Sequence, residues 1–373
     1  MSTLFSSAAA PAPTSTTGDT SKDLEIAANM LPSDSVSALA FSPTHDLLAL
    51  CAWDGTVRIY EVSNNGNVSG KWMFKCEPKA GGPLEHPLCV TWSKDGAAIA
   101  AGGDGGTIFY VNLNEAGPGG EIKPTLDFKQ HELGVKGLCF FMSGGKSLLA
   151  SGSWDKTLKY WDLPSHGQVG QTVQCAERVY SMDVKDHLLV VATAERHIHI
   201  INLNEPNKIY KTIQSPLKWQ TRVVSCFTDA SGFAVGSIEG RCAIQYAEDK
   251  DTSLNFSFKC HRQPDPTTRD LAKVYSVNAI SFHPQHGTFS TAGSDGTFHF
   301  WDKDAKHRLK GYPEVNGSIT ATSFSKDGNI FAYAISYDWS KGYSANNPQQ
   351  PIKVKLHPIM GDECKPRPGS KKR

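Results

Sequence analysis

The sequence predicts an all-β fold, a propeller of seven blades with four strands each. The first observation is that residues 148–162 alternate apolar and polar side chains on both sides of a turn at Asp155. The second is that seven apolar runs open seven units of this kind. The third is that the phrase recurs with a period typical of four-stranded blades. Its acidic turn residues, 40 to 56 positions apart, are Asp54, Asp104, Asp155, Glu195, Glu239 and Asp295.

The ring is expected to be closed by the N-terminus. The opening runs are residues 36–42, 89–93, 137–141, 179–183, 223–227, 277–282 and 319–325. Two third strands end in the dipeptide Trp-Asp, at 161–162 and 301–302, and with the period this identifies the WD40 propeller pattern. The last unit lacks a fourth strand after Leu356. We expect residues 24–27 to supply it, because closure removes two open sheet edges.

The acids at the turns are expected to be structural. An Asp at a bend accepts hydrogen bonds from its own neighbouring backbone, which fixes the turn. We also expect His131, which precedes the first strand of a blade, to brace a turn acid through a hydroxyl side chain. The predicted structural turn acids are Asp54, Asp104, Asp155 and Asp295.

Composition divides the 373 residues into three segments. Residues 1–22 are rich in Ser, Thr, Ala, Pro and Gly and predict a disordered leader. Residues 23–364 form the predicted propeller. Residues 365–373 form a basic tail, for which a mobile solubilising end is the first interpretation. A nuclear-targeting or phosphate-contacting segment is the alternative.

Charge and hydropathy exclude several classes of protein. A net charge of +1 argues against a general nucleic-acid coat, and no apolar run is long enough to span a membrane. The N-terminus lacks a secretory pattern. The nine cysteines are scattered without metal-ligand spacing, so we expect buried free thiols in a reducing compartment. The chain is expected to be soluble and intracellular.

Candidate catalytic motifs are better explained structurally. Residues 102–107 are glycine-rich but lack the Lys-Ser/Thr ending of a phosphate loop, so we predict a type I′ hairpin turn. His197 and His199 share one strand face, but no acidic or thiol partner lies at useful spacing, so exposed strand histidines are expected. No catalytic triad is evident. We therefore predict a protein that is not an enzyme and has no cofactor and no metal.

Three segments depart from the blade pattern. Residues 259–270 form a long polar insertion, and long loops in regular arrays often bind partners. Residues 303–310 place several cations beside Trp301; they predict either a solvated turn or a docking patch for an acidic peptide. Residues 336–343 and 346–349 interrupt the seventh blade with aromatic and polar turn residues.

These segments resemble one WD40 subgroup, the mRNA export factors associated with the nuclear pore. The resemblance runs from about residue 23 to the basic end, and its most specific phrase is Tyr-Asp-Trp-Ser-Lys-Gly at 337–342. Further matching phrases lie at 236–241, 256–262, 293–305 and 347–349. A sister family, the mitotic-checkpoint propellers, shares the blade phrasing, and we expect it to lack the phrase at 337–342.

The resemblance implies an adaptor that binds a GLEBS-type hairpin of an FG-repeat nucleoporin and takes part in mRNA export. It implies a location at the nuclear envelope and pore, with shuttling between nucleus and cytoplasm and no membrane insertion. Lys and Arg are exchanged at 306 and 308 relative to the family, and the two are not equivalent in bidentate carboxylate contacts. The implied partner-binding residues are Arg241, Phe258, Trp301, Asp302, Lys306 and Arg308.

Two alternative functions stay open. One is a checkpoint-type propeller that binds kinetochore or kinase peptides. The other is direct contact with single-stranded RNA within a messenger ribonucleoprotein. The second would require a basic groove interleaved with exposed aromatic side chains.

Overall fold

The computed structural model is a ring of seven four-stranded antiparallel blades, as the sequence predicted. It describes residues 17–63, 66–79, 81–163, 165, 167–268 and 271–367. The strands before and within the first three blades are β1 Leu24–Glu25, β2 Val36–Phe41, β3 Leu47–Ala52, β4 Thr56–Val62, β5 Val68–Lys75, β6 Pro87–Trp92, β7 Ala98–Gly103, β8 Thr107–Asn112, β9 Gly120–Glu121, β10 Leu126–Lys129, β11 Val135–Ser143, β12 Lys146–Ser153, β13 Thr157–Asp162 and β14 Gly167–Gln174.

Blades four to seven follow in the same order. Their strands are β15 Val179–Lys185, β16 Leu188–Thr193, β17 His197–Asn202, β18 Lys211–Gln214, β19 Thr221–Cys226, β20 Gly232–Ser237, β21 Arg241–Tyr246, β22 Phe256–Lys259, β23 Arg262–Pro264, β24 Ala272–Val274, β25 Val277–Phe282, β26 Phe289–Gly293, β27 Phe298–Asp302, β28 His307–Gly311, β29 Ile319–Phe324, β30 Ile330–Ile335 and β31 Lys353–Pro358. Strand β9 pairs in parallel with β5, and β23 and β24 form a separate hairpin within the insertion that follows blade 5. The described helices are short 3-10 turns at Ala28–Met30, Leu113–Glu115, Ala194–Arg196, Asp249–Leu254 and Tyr343–Ala345.

The core lies between the blades. Each of seven clusters of buried apolar residues joins one blade to the next, and the cluster containing Ile26, Val36 and Leu356 joins the last blade to the first. The second strands β3, β7, β16 and β20 are buried along their whole length, because they are covered on both faces. Small residues let the blades approach: a Cβ on Gly102 would lie 2.7 Å from the Val135 carbonyl oxygen of the next blade.

A β-bulge recurs near the start of the innermost strand of every blade. A bulge leaves one residue outside the ladder and turns its side chain in a new direction. We call the seven extra residues the bulge ring. They are Ser37, Leu88, Lys136, Tyr180, Arg222, Asn278 and Thr320.

The N-terminal segment closes the ring, and the closure prediction is confirmed. Strand β1 pairs with β31, with Leu24 opposite Leu356. Asp23 lies beneath this pairing, where its carboxylate accepts a hydrogen bond from the Tyr333 hydroxyl (2.5 Å) and contacts His357 Nδ1 (2.6 Å). Closure therefore joins the polar cluster at Asp23 to the apolar junction between the last and first blades.

The predicted leader and basic tail lie partly outside the described residues, which exclude 1–16 and 368–373. Of the remaining leader, the Gly18 amide donates to the Gly311 carbonyl (2.8 Å) at the edge of blade 6. Of the tail, the Arg367 amide donates to the Asp302 carboxylate (3.1 Å). The proposed segment boundaries stay a prediction.

Candidate functional site

A groove between the outer parts of blades 5 and 6 contains most of the residues that the resemblance singled out. The Phe258 ring on β22 packs against the Trp301 ring on β27, with centroids 4.5 Å apart. Lys306 Nζ lies 4.9 Å from the centroid of Phe256, and Arg308 is the register partner of Trp301. We call the surface formed by Phe256, Phe258, Trp301, Lys306 and Arg308 the blade 5–6 groove.

Phe258, Trp301, Lys306 and Arg308 are thus brought together. Arg241 is not, because its register partner is Lys259 whereas that of Phe258 is Cys242, so the two side chains point to opposite faces of blade 5. Asp302 also differs from the groove residues. Asp302 is buried, and its oxygens accept hydrogen bonds from the backbone amides of Asp304, Ala305 and Arg367 (2.9–3.1 Å). The carboxylate orders the turn that carries Lys306. Any contribution of Asp302 to binding would therefore be positional.

Trp301 is held by a chain of hydrogen bonds. Its indole Nε1 donates to Thr291 Oγ1 (2.9 Å), and the same hydroxyl contacts His261 Nε2 (3.0 Å). His261 Nδ1 contacts the turn acid Asp295 (2.9 Å). In blade 3 the same chain runs from Trp161 through Ser151 and His131 to Asp155.

The groove between blades 2 and 3 is an internal counterpart. Phe128 packs against Trp161 there with ring centroids 5.1 Å apart. Yet Gln168 stands opposite Trp161 where Arg308 stands opposite Trp301, and Asp127 and Asp162 line the adjoining cavity of about 210 Å³. The aromatic pair therefore does not require neighbouring cations, and the cations of the blade 5–6 groove are a local addition.

The turn acids occupy two kinds of position. Asp54, Asp155 and Asp295 each accept from the backbone amide and hydroxyl of the Thr two residues later, at 2.6–3.1 Å. Asp104 lies one residue earlier in its turn and instead contacts the amide and ring of His86. Glu85 supplies the brace in that blade, accepting from Gly105 and Thr107.

Two expectations about local structure are wrong. The turn at 103–106 is not type I′, because positive φ occurs at Gly106 (+95°), after the two central residues. His199 is buried rather than exposed: its Nδ1 contacts Thr212 Oγ1 (2.8 Å), and its Nε2 accepts from the Ala176 amide (3.0 Å). Sequence spacing showed which face His199 occupies but not that the neighbouring blade covers that face.

A second surface, missed by sequence reasoning, lies on one face of the ring. We define the turn face as the face on which the second strand of each blade turns into the third. Eleven large hydrophobic side chains are exposed among the described residues, and seven of them lie on this face, five in loops, one in strand β24 and one in the 3-10 turn Tyr343–Ala345. The seven are Leu84, Leu133, Trp219, Ile238, Leu271, Val274 and Tyr343.

Aromatic side chains also gather at the centre of the turn face. Trp53 and Trp339 pack with ring centroids 4.5 Å apart, and Tyr337 lies 5.8 Å from Trp339. Trp339 occupies the left-handed position (φ 60°) where other turns carry Gly55 or Gly296. A bulky residue there is strained, which suggests a role other than forming the turn.

The aromatic cluster surrounds the mouth of the central channel, a cavity of about 530 Å³. Trp154, Arg178 and Arg222 also line this mouth. The turn face therefore combines apolar area with positive charge at its centre.

The cysteines, possible metal ligands and helices of the described residues are also relevant to the expectations from the sequence. All nine cysteines are free thiols, seven of them buried and two partly buried. The described part of the chain contains no group of three or more His, Cys, Asp or Glu side chains arranged to hold a metal ion. Within it, no helix has the length and hydrophobicity needed to cross a bilayer.

The fold and its repeated turns define a WD40 propeller. The family model described as "WD domain, G-beta repeat" matches residues 29–61, 122–162 and 270–302. The solved structure "Crystal structure of RRP9 WD40 repeats" is similar over 91% of this chain and 97% of its own, with a TM-score of 0.70 and 16% identity, which shows the fold alone.

Full-length relatives narrow the class. "mRNA export factor GLE2" of Chaetomium thermophilum is 56% identical, covering 96% of this chain and 97% of that protein. "Poly(A)+ RNA export protein" of Schizosaccharomyces pombe is 50% identical, with 98% of each chain covered. "Protein Rae1" of Drosophila melanogaster is 41% identical, covering 92% and 96%. The chain belongs to this GLE2/Rae1 family of WD40 mRNA export factors.

Proposed function

We propose that this chain is a non-enzymatic adaptor in mRNA export that binds a GLEBS-type nucleoporin hairpin on its turn face at the nuclear pore. The observation that carries the proposal is the concentration of exposed hydrophobic side chains on that face. Exposed apolar area of this kind marks sites of protein interaction. The names of the relatives, "mRNA export factor GLE2" among them, support the role in export.

The geometry suits a hairpin ligand. Trp53, Trp339 and Trp219 offer large, rigid contact surfaces, and side chains of this type dominate binding energy at protein interfaces. Arg178 and Arg222 supply positive charge for acidic residues of the partner. The closed ring holds these groups in fixed relation, so the partner alone undergoes ordering.

The proposal is tested by calorimetric titration of the purified chain with a synthetic GLEBS hairpin. Trp219→Ala should weaken binding by about tenfold or more, since truncation of a buried interface aromatic commonly costs 2 kcal/mol or more. Tyr210→Ala is the matched control: its ring is 58% exposed, like that of Trp219 at 62%, but it lies on the opposite face. Equal loss in the two variants, or no binding by the wild-type chain, would refute the assignment. A kinetochore-type peptide titrated in parallel tests the checkpoint alternative.

The blade 5–6 groove favours a second candidate function, direct contact with single-stranded RNA. Phe258 and Trp301 provide ring surfaces, and Lys306 and Arg308 provide cations beside them. This is the combination of stacking platforms and positive charge by which proteins bind single strands. The resemblance assigned the same residues to the nucleoporin hairpin, so both ligands must be compared on one set of groove variants.

A further inference from the structure

The bulge ring gives the channel mouth a composition independent of the blade cores. All seven of its residues line the 530 Å³ cavity. Two of the seven are cations, Lys136 and Arg222, and none is a carboxylate. The fold itself therefore aims two positive side chains at one enclosed space.

Cations outnumber acidic side chains among the residues that line the mouth. Lys136 Nζ donates to the Leu88 carbonyl (3.1 Å), and Arg222 Nη2 donates to the Asp338 carbonyl (3.1 Å), so both recorded partners are uncharged oxygens. Arg178 adds a third cation to the lining, whereas Asp338 is its one acidic residue. The Asp338 carboxylate already accepts from Ser294 Oγ and the Ser340 amide.

Hydrogen-bonding capacity at the mouth also exceeds what the protein uses. A guanidinium carries five donors and an ammonium three, more than the recorded bonds of Arg222 and Lys136 occupy. Three lining residues, Thr221, Asn278 and Trp339, have buried polar atoms without a hydrogen-bond partner among the described residues. Unsatisfied buried polar groups are uncommon in native proteins and often mark the site of an ion or ligand.

Burial lowers the pKa of Lys136, and it lowers that of Arg222 as well. Desolvation disfavours each cation, and the charge of Arg222 lowers the pKa of Lys136 further, whereas Asp338 offsets part of the effect of burial on Arg222. An anion placed between them would favour both charged forms.

We propose that the channel mouth binds a phosphate group between Lys136 and Arg222. Arginine binds phosphate through paired donors, and a cleft lined by one sign of charge concentrates ions of the opposite sign. The cavity is within the usual range for small-molecule sites, so the group can arrive as a free phosphate or on a nucleotide whose base contacts the aromatic rim. This inference does not rest on hairpin binding, because the ligand is bound by the chain alone.

The test is calorimetric titration of the full chain in low-chloride buffer with pyrophosphate, with ADP, and with acetate as the control anion. We expect saturable pyrophosphate binding, weakened about tenfold or more by Lys136→Met and by Arg222→Gln through loss of charge-assisted hydrogen bonds. Lys208→Gln, which removes an exposed cation in the loop between β17 and β18 on the opposite face, should leave the affinity unchanged. Lys136→Gln, which also removes the charge but keeps a polar side chain, serves as the second variant if Lys136→Met fails to fold.

The pyrophosphate and ADP titrations distinguish a free phosphate ligand from a nucleotide. Tighter binding of ADP than of pyrophosphate identifies a nucleotide, and equal binding identifies the free anion; either supports the site. Three results would overturn it: no binding of pyrophosphate, acetate binding as tight as that of pyrophosphate, or full affinity in folded Lys136 and Arg222 variants. None of these bears on the hairpin titration, so the two proposals fail separately.

Discussion

Trp301 and Asp295 are linked through Thr291 and His261, so the groove residue and the turn acid of blade 6 form one hydrogen-bonded unit. The unit runs from the turn face into the blade 5–6 groove. A partner that moves the turn at Asp295 would thereby alter the support of the Trp301 ring.

Groove cations should control the binding of an acidic ligand. Lys306→Glu combined with Arg308→Glu should abolish binding of single-stranded RNA while the thermal melt stays near wild type, because both side chains are exposed. Fluorescence anisotropy with an oligonucleotide measures this. The same double variant titrated with the GLEBS hairpin tests whether these residues contact the nucleoporin instead.

The blade 2–3 groove provides the control for that experiment. Gln168 occupies the position equivalent to Arg308. Gln168→Glu should leave RNA affinity unchanged, and a loss of affinity there would mean that overall charge contributes to the effect. Wild-type affinity for both ligands in the folded double variant would exclude the blade 5–6 groove as a binding surface.

The carboxylate that accepts hydrogen bonds within each hairpin turn should contribute to the free energy of unfolding. Asp155→Ala should cost about 1–3 kcal/mol, because it leaves amide, hydroxyl and imidazole groups without their acceptor. Glu85→Ala should cost a similar amount in blade 2, and Asp104→Ala should cost less, since Glu85 holds that turn. Denaturant titrations measure the three values. Equal losses of unfolding free energy in Glu85→Ala and Asp104→Ala would contradict the finding that Glu85, rather than Asp104, holds the turn of blade 2.

Closure of the ring should depend on residues 21–31. Deletion of residues 1–20 should leave the melting temperature nearly unchanged, whereas deletion of residues 1–31 removes β1 and Asp23 and opens the edge of β31. Differential scanning calorimetry compares the two truncations. Equal melting temperatures would show that β1 contributes little to closure.

The cluster at Asp23 should make stability depend on pH. Burial opposes charge on His357, but hydrogen bonds to Asp23 and Glu363 outweigh burial and raise its pKa from 6.5 to about 9. Because the folded-state pKa of His357 is raised, protonated His357 stabilises the fold fully below pH 6.5, and this stabilisation is lost as the pH rises through 9. The stability difference between wild type and His357→Gln should therefore shrink between pH 6.5 and 9, as measured by urea unfolding at a series of pH values. A difference that stays constant over that range would contradict the assignment.

Strand alternation and the seven opening runs were sufficient to predict the seven blades, because these are local patterns. Closure pairs distant residues, Leu24 and Leu356, and was predictable because the last unit lacked a fourth strand. The blade 5–6 groove came from resemblance, since nothing in the spacing of Phe258 and Trp301 shows that they touch. The displacement of Asp104 was hidden by the flanking glycines, which allow the turn to start at either of two positions.

The turn face and the bulge ring were not predicted, for a different reason. Exposure of Trp219 or Leu271 depends on which loops other blades leave uncovered, and this is a property of the assembled ring. A bulge is a shift of register between two strands, and Lys136 or Arg222 looks in sequence like any polar residue of an alternating strand.

The side chains of the bulge ring are also separate from the apolar cores between the blades. They belong to none of the apolar junction clusters, although Val36, Val135, Val179, Val277 and Ile319 beside them do. Substitution at a ring position changes the channel without repacking an apolar junction, but at Ser37, Lys136 and Asn278 it also removes a hydrogen bond to a carbonyl of a neighbouring blade. The propeller thus has seven positions, one in each blade, at which a natural or engineered substitution changes the side chains that line the central channel.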